Sequence, residues 1–310
     1  MIPSLLQIPS AVSDSKLHSV LPNNGKGDFT FDRSTGATRI NKDGLIEEVG
    51  YFSSELVQNG NFSELGSEEL TNYNFENGAT GWNISSDSYV QNNKLFADTG
   101  ALLYQSGGLT SNKTYKVVID IESVTQDGLN IYAYGNQSST ITTAGIHTLY
   151  IVAGTSNTLV GFNPISHFIG VINSISFKQV DPNDRWTLGT GFSFAEDGLK
   201  FTNLGGTAVI QNPVWYLNKT YKVTVNLSYT SGTRIILPYD GSNTFNSISV
   251  NTAGTNVTYS YTITPLANTP NLYIYGDGNA TGTIHSVSVK EVLGDRPRLS
   301  YDITNGVVED

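Results

Sequence analysis

Apolar residues fall at every second position in two long stretches of the chain, near residues 115–121 and 221–227. A period of two is typical of a β-strand that buries one face. Both stretches begin with the same hexapeptide, Asn-Lys-Thr-Tyr-Lys-Val, at residues 112–117 and 218–223. The apolar positions are Tyr115, Val117, Ile119 and Ile121 in the first stretch and Tyr221, Val223, Val225 and Leu227 in the second. The pattern therefore predicts two equivalent strands packed on a core.

The similarity between the two stretches extends in both directions along the chain. Gln105 aligns with Gln211 before the hexapeptides, and Thr-Ala-Gly recurs at residues 143–145 and 252–254 after them. Each copy holds seven or eight short alternating segments separated by turn residues, which is the pattern of a β-sandwich or jelly roll. We therefore predict two tandem modules from one internal repeat.

The composition agrees with an all-β protein and excludes several classes of function. Apolar residues make up 38% of the 310 residues and charged residues 14%, and much of the rest is Gly, Ser, Thr and Asn, which supply tight turns. The net charge of −10 repels polyanions, so we expect no nucleic-acid partner. Cysteine is absent, which excludes thiolate chemistry. No apolar run approaches the length of a spanning helix or a signal peptide, so we expect no membrane insertion.

The two ends of the chain carry a different pattern. Alternating runs flank Asp43-Gly44, which predicts a β-hairpin there. Together, residues 27–33, 37–39 and 44–48, with Arg-Pro-Arg-Leu-Ser-Tyr at 296–301, resemble tail-fibre-like structural proteins of tailed bacteriophages, many of them marine. In that family the Arg-Pro-Arg segment follows soon after Gly-Leu-Ile-Glu-Glu, whereas here about 240 residues separate the two. The resemblance implies two modules inserted into one small β unit, in which residues 28–52 lie beside residues 294–304.

A second resemblance concerns the start of the modules. The segments Leu-Val-Gln-Asn-Gly-Asn-Phe at 56–62 and Leu-Thr-Asn-Tyr-Asn-Phe at 70–75, followed by Gly81-Trp82, resemble the opening of carbohydrate-binding-module-like jelly rolls. The second copy has Gly191-Phe192 where the first has Gly81-Trp82. We therefore divide the chain into an N-terminal hairpin or assembly segment (1–54), two sandwich modules (55–180 and 181–293), and a C-terminal segment (294–310) that pairs with the N-terminal unit.

No set of residues predicts catalysis. The four histidines, at positions 18, 147, 167 and 285, are scattered, and none has a companion at metal-ligand spacing. Asp120 and Glu122 share a strand face as a glycosidase pair would, but the second copy has Asn226 and Ser228 instead. We therefore expect a non-enzymatic protein with no cofactor and no metal site.

Aromatic residues are the better candidates for function. Exposed rings stack on the apolar face of a sugar while neighbouring amides bond its hydroxyls. The candidate glycan-binding residues are Tyr132, Tyr134, Trp215, Tyr239 and Tyr275, with Asn130 and Gln137 among the nearby amides. The alternative is that these rings pack inside a sandwich, between modules or between subunits.

The phage resemblance implies a virion structural protein, a tail fibre or similar appendage, whose jelly-roll modules contact host-surface glycans. Its implied partners are other virion proteins and further copies of itself, as a homotrimer by analogy with other elongated appendages. Two alternatives stay open at this point. One is a capsid or head decoration protein with purely structural modules, and the other is a pair of binding modules from a secreted glycoside hydrolase.

Overall fold

The computed structural model describes the backbone continuously over residues 52–239, 247–265 and 271–293, together with short strands in both terminal segments. Side chains are described for 52–238, 247–265 and 271–293. The fold class is all-β, as predicted, and the described residues contain no helix. No described helix is therefore long and apolar enough to cross a membrane.

The first module is a sandwich of two antiparallel sheets. The larger, sheet A1, has the order β13-β10-β15-β8-β7, with β6 also paired to β15. Its strands are β6 (Leu65–Glu68), β7 (Tyr89–Gln91), β8 (Lys94–Thr99), β10 (Thr114–Gln126), β13 (Gly145–Val152) and β15 (Phe168–Val180). The smaller, sheet B1, has the order β12-β11-β14-β9. Its strands are β9 (Leu103–Ser106), β11 (Leu129–Ala133), β12 (Asn136–Gln137) and β14 (Leu159–Pro164).

The second module repeats this arrangement with two five-stranded sheets. Sheet A2 has the order β17-β18-β25-β20-β23, and sheet B2 has the order β16-β19-β24-β21-β22. The strands of A2 are β17 (Phe192–Ala195), β18 (Gly198–Leu204), β20 (Tyr221–Ser231), β23 (Gly254–Ile263) and β25 (Ala280–Glu291). Those of B2 are β16 (Thr187–Leu188), β19 (Thr207–Gln211), β21 (Arg234–Tyr239), β22 (Ile248–Val250) and β24 (Leu272–Asp277).

The hexapeptide repeat begins the central strands, β10 and β20, and its tyrosine plays the same part twice. Tyr115 and Tyr221 are fully buried between the sheets. Each hydroxyl accepts a hydrogen bond from a main-chain N–H five residues earlier, that of Thr110 in the first copy and Tyr216 in the second, at 2.7 Å in both. The alternating apolar residues that follow are also buried, so the period-two pattern predicted both cores.

A glutamate at the start of each module fixes its first segment to its last strand. Glu68 accepts hydrogen bonds from the Phe177 N–H at 2.8 Å and the Ser176 hydroxyl at 2.5 Å. Glu55 accepts the equivalent bonds from the Val289 N–H at 2.7 Å and the Ser288 hydroxyl at 2.6 Å. Glu55 therefore belongs to the second module, although it precedes the first in the chain.

The structure moves the predicted boundary between the modules. Val57 and Phe62 are buried in the core of the second module, and the Phe62 ring lies 5.1 Å from that of Trp186. Phe75 and Trp82 form the same contact in the first module at 5.4 Å. Trp186, and not Phe192, is thus the counterpart of Trp82, which corrects the sequence alignment. The first module is nested in the loop that joins Phe62 to Trp186.

The ends of the nested pair of modules meet. Phe52 forms an antiparallel bridge with Val292, and the Ser53 N–H donates to the Glu291 carbonyl at 2.9 Å. The first module also begins and ends at one place, because the Asp181 N–H donates to the Glu64 carbonyl at 3.0 Å. Both units therefore have the adjacent ends that a domain insertion requires.

The terminal segments contain further strands. Strands β4 (Ala37–Ile40) and β5 (Ile46–Val49) pair antiparallel on either side of Asp43-Gly44, which confirms the predicted hairpin. Residues 1–27 include β1 (Pro9–Ser13) and β2 (Lys16–Ser19), which form a small sheet with β3 (Phe29–Thr30). At the C-terminus, β26 (Leu299–Asp302) pairs with β27 (Gly306–Glu309). Among the described strands no ladder joins the two terminal hairpins, so their pairing within or between subunits stays a prediction.

Candidate binding surface

The outer face of sheet B1 carries two tyrosines on either side of a glycine. In β11, Leu129, Ile131 and Ala133 point into the core, so Asn130 and Tyr132 point outward. The register places Tyr132 opposite Gly161 on β14, and Gly161 opposite Tyr104 on β9. The three residues form one row across the sheet, with both tyrosine side chains partly exposed.

Glycine is required at the centre of this row. A Cβ atom at Gly161 would lie 2.1 Å from the Leu103 carbonyl oxygen and 2.9 Å from the Tyr104 Cα, which no side chain can tolerate without a shift of the backbone. Adjacent strands are about 4.8 Å apart, so the backbones of Tyr104 and Tyr132 are separated by about 10 Å. The row therefore places two partly exposed aromatic side chains on either side of a buried glycine.

Three side-chain amides lie next to the row of Tyr104, Gly161 and Tyr132. Asn130 and Asn163 are directly opposite each other on β11 and β14. Both donate from Nδ2 to the Gln137 Oε1, at 3.0 Å and 2.9 Å. The Asn130 Oδ1 is shielded from solvent and has no hydrogen-bond partner. This amide cluster therefore brings several donors and acceptors to one uncharged surface.

The two tyrosines are held differently. The Tyr132 hydroxyl accepts a hydrogen bond from the Asn157 Nδ2 at 2.5 Å, and the Asn157 Oδ1 accepts one from the Leu159 N–H at 2.9 Å. This chain of bonds fixes the Tyr132 ring against the loop before β14. No hydrogen bond within the described part of the chain uses the Tyr104 hydroxyl, so that group stays available to a ligand.

Two of the five predicted glycan-binding residues are core residues. Tyr134 is only 5% exposed, because φ is +51° there and the backbone turns the ring inward, where its hydroxyl accepts from the Leu109 N–H at 2.8 Å. Trp215 is 1% exposed and packs on Tyr221. Neither ring offers a face to a sugar, so the packing alternative is correct for these two.

Two of the other predicted residues, Tyr132 and Tyr275, lie on outer faces. Tyr132 belongs to the row with Gly161 and Tyr104 on sheet B1. Tyr275 is partly buried on the outer face of sheet B2, opposite Ala208 and Ile236. Tyr239 is paired through its backbone with Tyr273, and its side chain lies outside the described residues.

The second module has no glycine at the equivalent position of its row. Gln105 and Gln211 mark equivalent positions, because each accepts from and donates to the main chain of its module's first segment. Gln105 pairs with Val160, and Gln211 pairs with Leu272. The next residue on each partner strand is Gly161 in the first module and Tyr273 in the second, so these two positions correspond. A tyrosine therefore stands in the second module where the first module has a glycine.

Tyr104, Gly161 and Asn163 were not among the residues predicted from the sequence. A signal for Tyr104 was present, since it alternates with the buried Leu103 and Gln105 and so faces outward. No local pattern could place it beside Gly161, because the strands that hold the two residues are more than fifty positions apart in the sequence.

The groups considered for catalysis have structural partners instead. Glu122 forms an ion pair with Lys94, and the Asp120 Oδ2 accepts from the Asn173 Nδ2 at 3.2 Å. The His285 Nε2 lies 2.8 Å from the Ser228 hydroxyl, whose oxygen also accepts from the Asn256 N–H at 3.0 Å. Within the described residues no group of three His, Cys, Asp or Glu side chains could hold a metal ion.

Comparisons with known proteins give a likeness of fold. No protein-family model matches the sequence, and no curated protein matches it. Among solved structures, the N-terminal CBM22-1-CBM22-2 tandem domain of Paenibacillus barcinonensis Xyn10C is similar at 12% identity and a TM-score of 0.29, over 74% of this chain and 99% of that one. A fucolectin from striped bass (Morone saxatilis) serum is similar at 10% identity and a TM-score of 0.23, over 74% and 96%. Likeness at this level carries no argument about function.

Proposed function

We propose that the chain is a non-enzymatic glycan-binding protein and that the outer face of sheet B1 is its binding site. The observation that carries this proposal is the row Tyr104, Gly161 and Tyr132 beside the amide cluster. A pyranose is a flat ring with apolar C–H faces and hydroxyl groups around its rim. The row supplies aromatic surface for the faces, and the amides supply partners for the hydroxyls.

The absence of charge on this face indicates the class of glycan. The outward side chains of β9, β11, β12 and β14 belong to tyrosine, asparagine, glutamine, serine and leucine residues, and none of them is charged. Amides and hydroxyls recognise neutral hydroxyl groups as both donors and acceptors. The face therefore suits a neutral sugar better than a sulfated or uronic one, which would call for a paired Arg or Lys.

The test is glycan binding by the full chain and by four variants. Tyr132→Ala and Tyr104→Ala should each weaken binding by about 1 kcal/mol, or five- to tenfold, because each removes one stacking ring. Tyr132→Phe keeps the ring and should retain most of the affinity. Tyr216→Ala is the matched control, because Tyr216 is 65% exposed on a loop of the other module.

The measurements are a glycan array followed by titration calorimetry with the sugars that bind. Circular dichroism of each variant shows whether the fold survives. The proposal is wrong if no neutral glycan binds, or if Tyr216→Ala weakens binding as much as Tyr132→Ala does.

We further propose that the protein is a virion structural component of a tailed bacteriophage, a tail fibre or similar appendage that presents this site to the host surface. The support is the sequence motifs of both terminal segments, together with the bridge between Phe52 and Val292. That bridge closes the nested modules into one unit that an appendage can carry as a side branch. Other virion proteins and further copies of this chain are the partners that follow from the proposal. Immunoelectron microscopy tests it, and particles that never carry the label would overturn it.

A further inference from the structure

Strand β23 is the longest open sheet edge in the described part of the chain. It ends sheet A2, and no described strand pairs with its free side. It runs for ten residues, Gly254–Ile263, without a charged residue or a proline. Its one register irregularity lies near Gly254, so residues 257–263 form a regular ladder with β20. About half of these residues direct an N–H and a C=O toward the open side.

Natural proteins protect such edges with short strands, charges, prolines or covering segments. The other sheet ends of the two modules follow this rule. Only two to four residues make up each of the strands β7, β9, β12, β16, β17 and β22. Strand β13, the counterpart of β23 in the first module, is covered in part because Tyr150 packs against the core of the second module. Within the described residues, strand β23 has none of these protections.

The inner face of β23 is also incompletely covered. Val257, Tyr259 and Tyr261 point toward the core, yet each stays partly exposed because no strand lies beyond them. On the outer face, Thr258, Ser260 and Thr262 are exposed hydroxyl residues. An added strand would cover Val257, Tyr259 and Tyr261. Its outward side chains could pair with the hydroxyl residues at 258, 260 and 262.

The residue pattern of β23 is self-complementary about Ser260. When two antiparallel copies cross on a twofold axis through this residue, Thr258 faces Thr262 of the second copy and Tyr259 faces Tyr261 of the second copy. Val257 then faces Ile263 of the second copy. Hydroxyl pairs and aromatic pairs are the cross-strand combinations that stabilise antiparallel ladders.

We propose that two copies of this protein associate through β23, which joins their A2 sheets into one continuous sheet across a twofold axis. The inference is independent of glycan binding, because the B1 face belongs to the other module. The trimer expected from the phage resemblance concerns a different contact. In a trimer the β23 pairing would link two trimers, since an isologous interface contains a twofold axis.

The chain has no cysteine, which allows a direct test of this geometry. Ser260→Cys would place two thiols opposite each other on the axis, at the Cα separation of about 4.5–5.5 Å that suits a disulfide. Thr202→Cys is the control, because Thr202 is an exposed residue of the same sheet on β18, away from the edge. Both variants are oxidised mildly as the full chain at micromolar concentration.

We expect Ser260→Cys to form a covalent dimer about a hundredfold faster than Thr202→Cys, because pairing raises the effective thiol concentration from micromolar toward millimolar. In sedimentation velocity, Ser260→Lys should weaken the association about fivefold, since it sets two ammonium groups opposite each other, whereas Thr202→Lys should not. Equal rates of cross-linking for the two cysteine variants would overturn the proposal. A wild-type chain that sediments as a monomer, or association unaffected by Ser260→Lys, would also overturn it.

Discussion

The nested topology predicts that the second module cannot fold without residues that precede the first. We compare two fragments that differ only in the segment before residue 180. The first, called the nested fragment, is residues 52–293 with residues 66–179, which form most of the first module, replaced by Gly-Gly. This joins Leu65 to Val180, which are opposite each other in an antiparallel ladder, through the two-residue turn that hairpins favour. The truncated fragment is residues 180–293 alone.

The expected difference follows from what residues 52–65 contribute. Val57 is 4% exposed and Phe62 3% exposed in the second core, and burial of each contributes about 1.5–3 kcal/mol. The charged hydrogen bonds of Glu55 to Ser288 and Val289 add about 1.5–3 kcal/mol. The sum, about 4.5–9 kcal/mol, approaches the whole stability of a domain of this size. The truncated fragment should therefore be largely unfolded.

Removal of the first module should cost the second module much less stability than removal of residues 52–65. The first module contributes Tyr150, which is only partly buried against the second core, and two ion pairs, Lys113 with Asp184 and Lys116 with Glu196. The ion pairs have partly exposed side chains, and surface pairs contribute about 0–1 kcal/mol each. The nested fragment should therefore stay folded.

The assay is urea unfolding followed by tryptophan fluorescence, since both fragments keep Trp186 and Trp215. We expect a cooperative transition for the nested fragment and none for the truncated one. If residues 180–293 alone unfold with the same midpoint and slope as the nested fragment, the assignment of residues 52–65 to the second module is refuted.

Three further predictions concern single residues. Glu68→Ala should destabilise the first module by about 2–4 kcal/mol, because it leaves the Phe177 N–H and the partly buried Ser176 hydroxyl without their partner, whereas the exposed Glu122→Ala should cost under about 1 kcal/mol; thermal unfolding compares them, and equal losses would contradict the anchoring role. Gly161→Ala should cost about 2 kcal/mol or more through its clash with a carbonyl oxygen, whereas Gly205→Ala, with no atom within 4 Å, should be tolerated; melting temperatures test this, and an unaltered melt of the first would contradict the close approach. Burial raises the pKa of Tyr229 above its ordinary value of 10.0, with Asp277 as a lesser cause. Above pH 10 the folded state thus binds more protons than the unfolded state, so stability falls as pH rises. Tyr229→Phe should lose less stability than wild type between pH 10 and 11 in urea unfolding, and an identical pH dependence would show that this hydroxyl does not contribute.

The period-two alternation determined the fold class and both cores, because a strand with one buried face must place its apolar residues at every second position. The same reasoning found the hairpin at Asp43-Gly44. These features depend on neighbours in the sequence, so the sequence alone was enough to predict them.

The nesting of the modules was decided by tertiary structure. The segments at 56–62 and 70–75 have nearly the same local pattern, and either is suited to pair with either final strand. Which strand each one joins depends on contacts between residues more than a hundred positions apart, such as that of Glu55 with Ser288.

The binding surface was likewise decided by the fold. Alternation placed Tyr132 on the outer face correctly, but the rule fails where a strand ends, and the positive φ at Tyr134 turns that ring into the core. The partners of Tyr132 across the sheet, Gly161 and Tyr104, are set by the register of three strands that are distant in the sequence. Register depends on the packing of the whole sandwich, because a slip of one residue would expose an entire buried face.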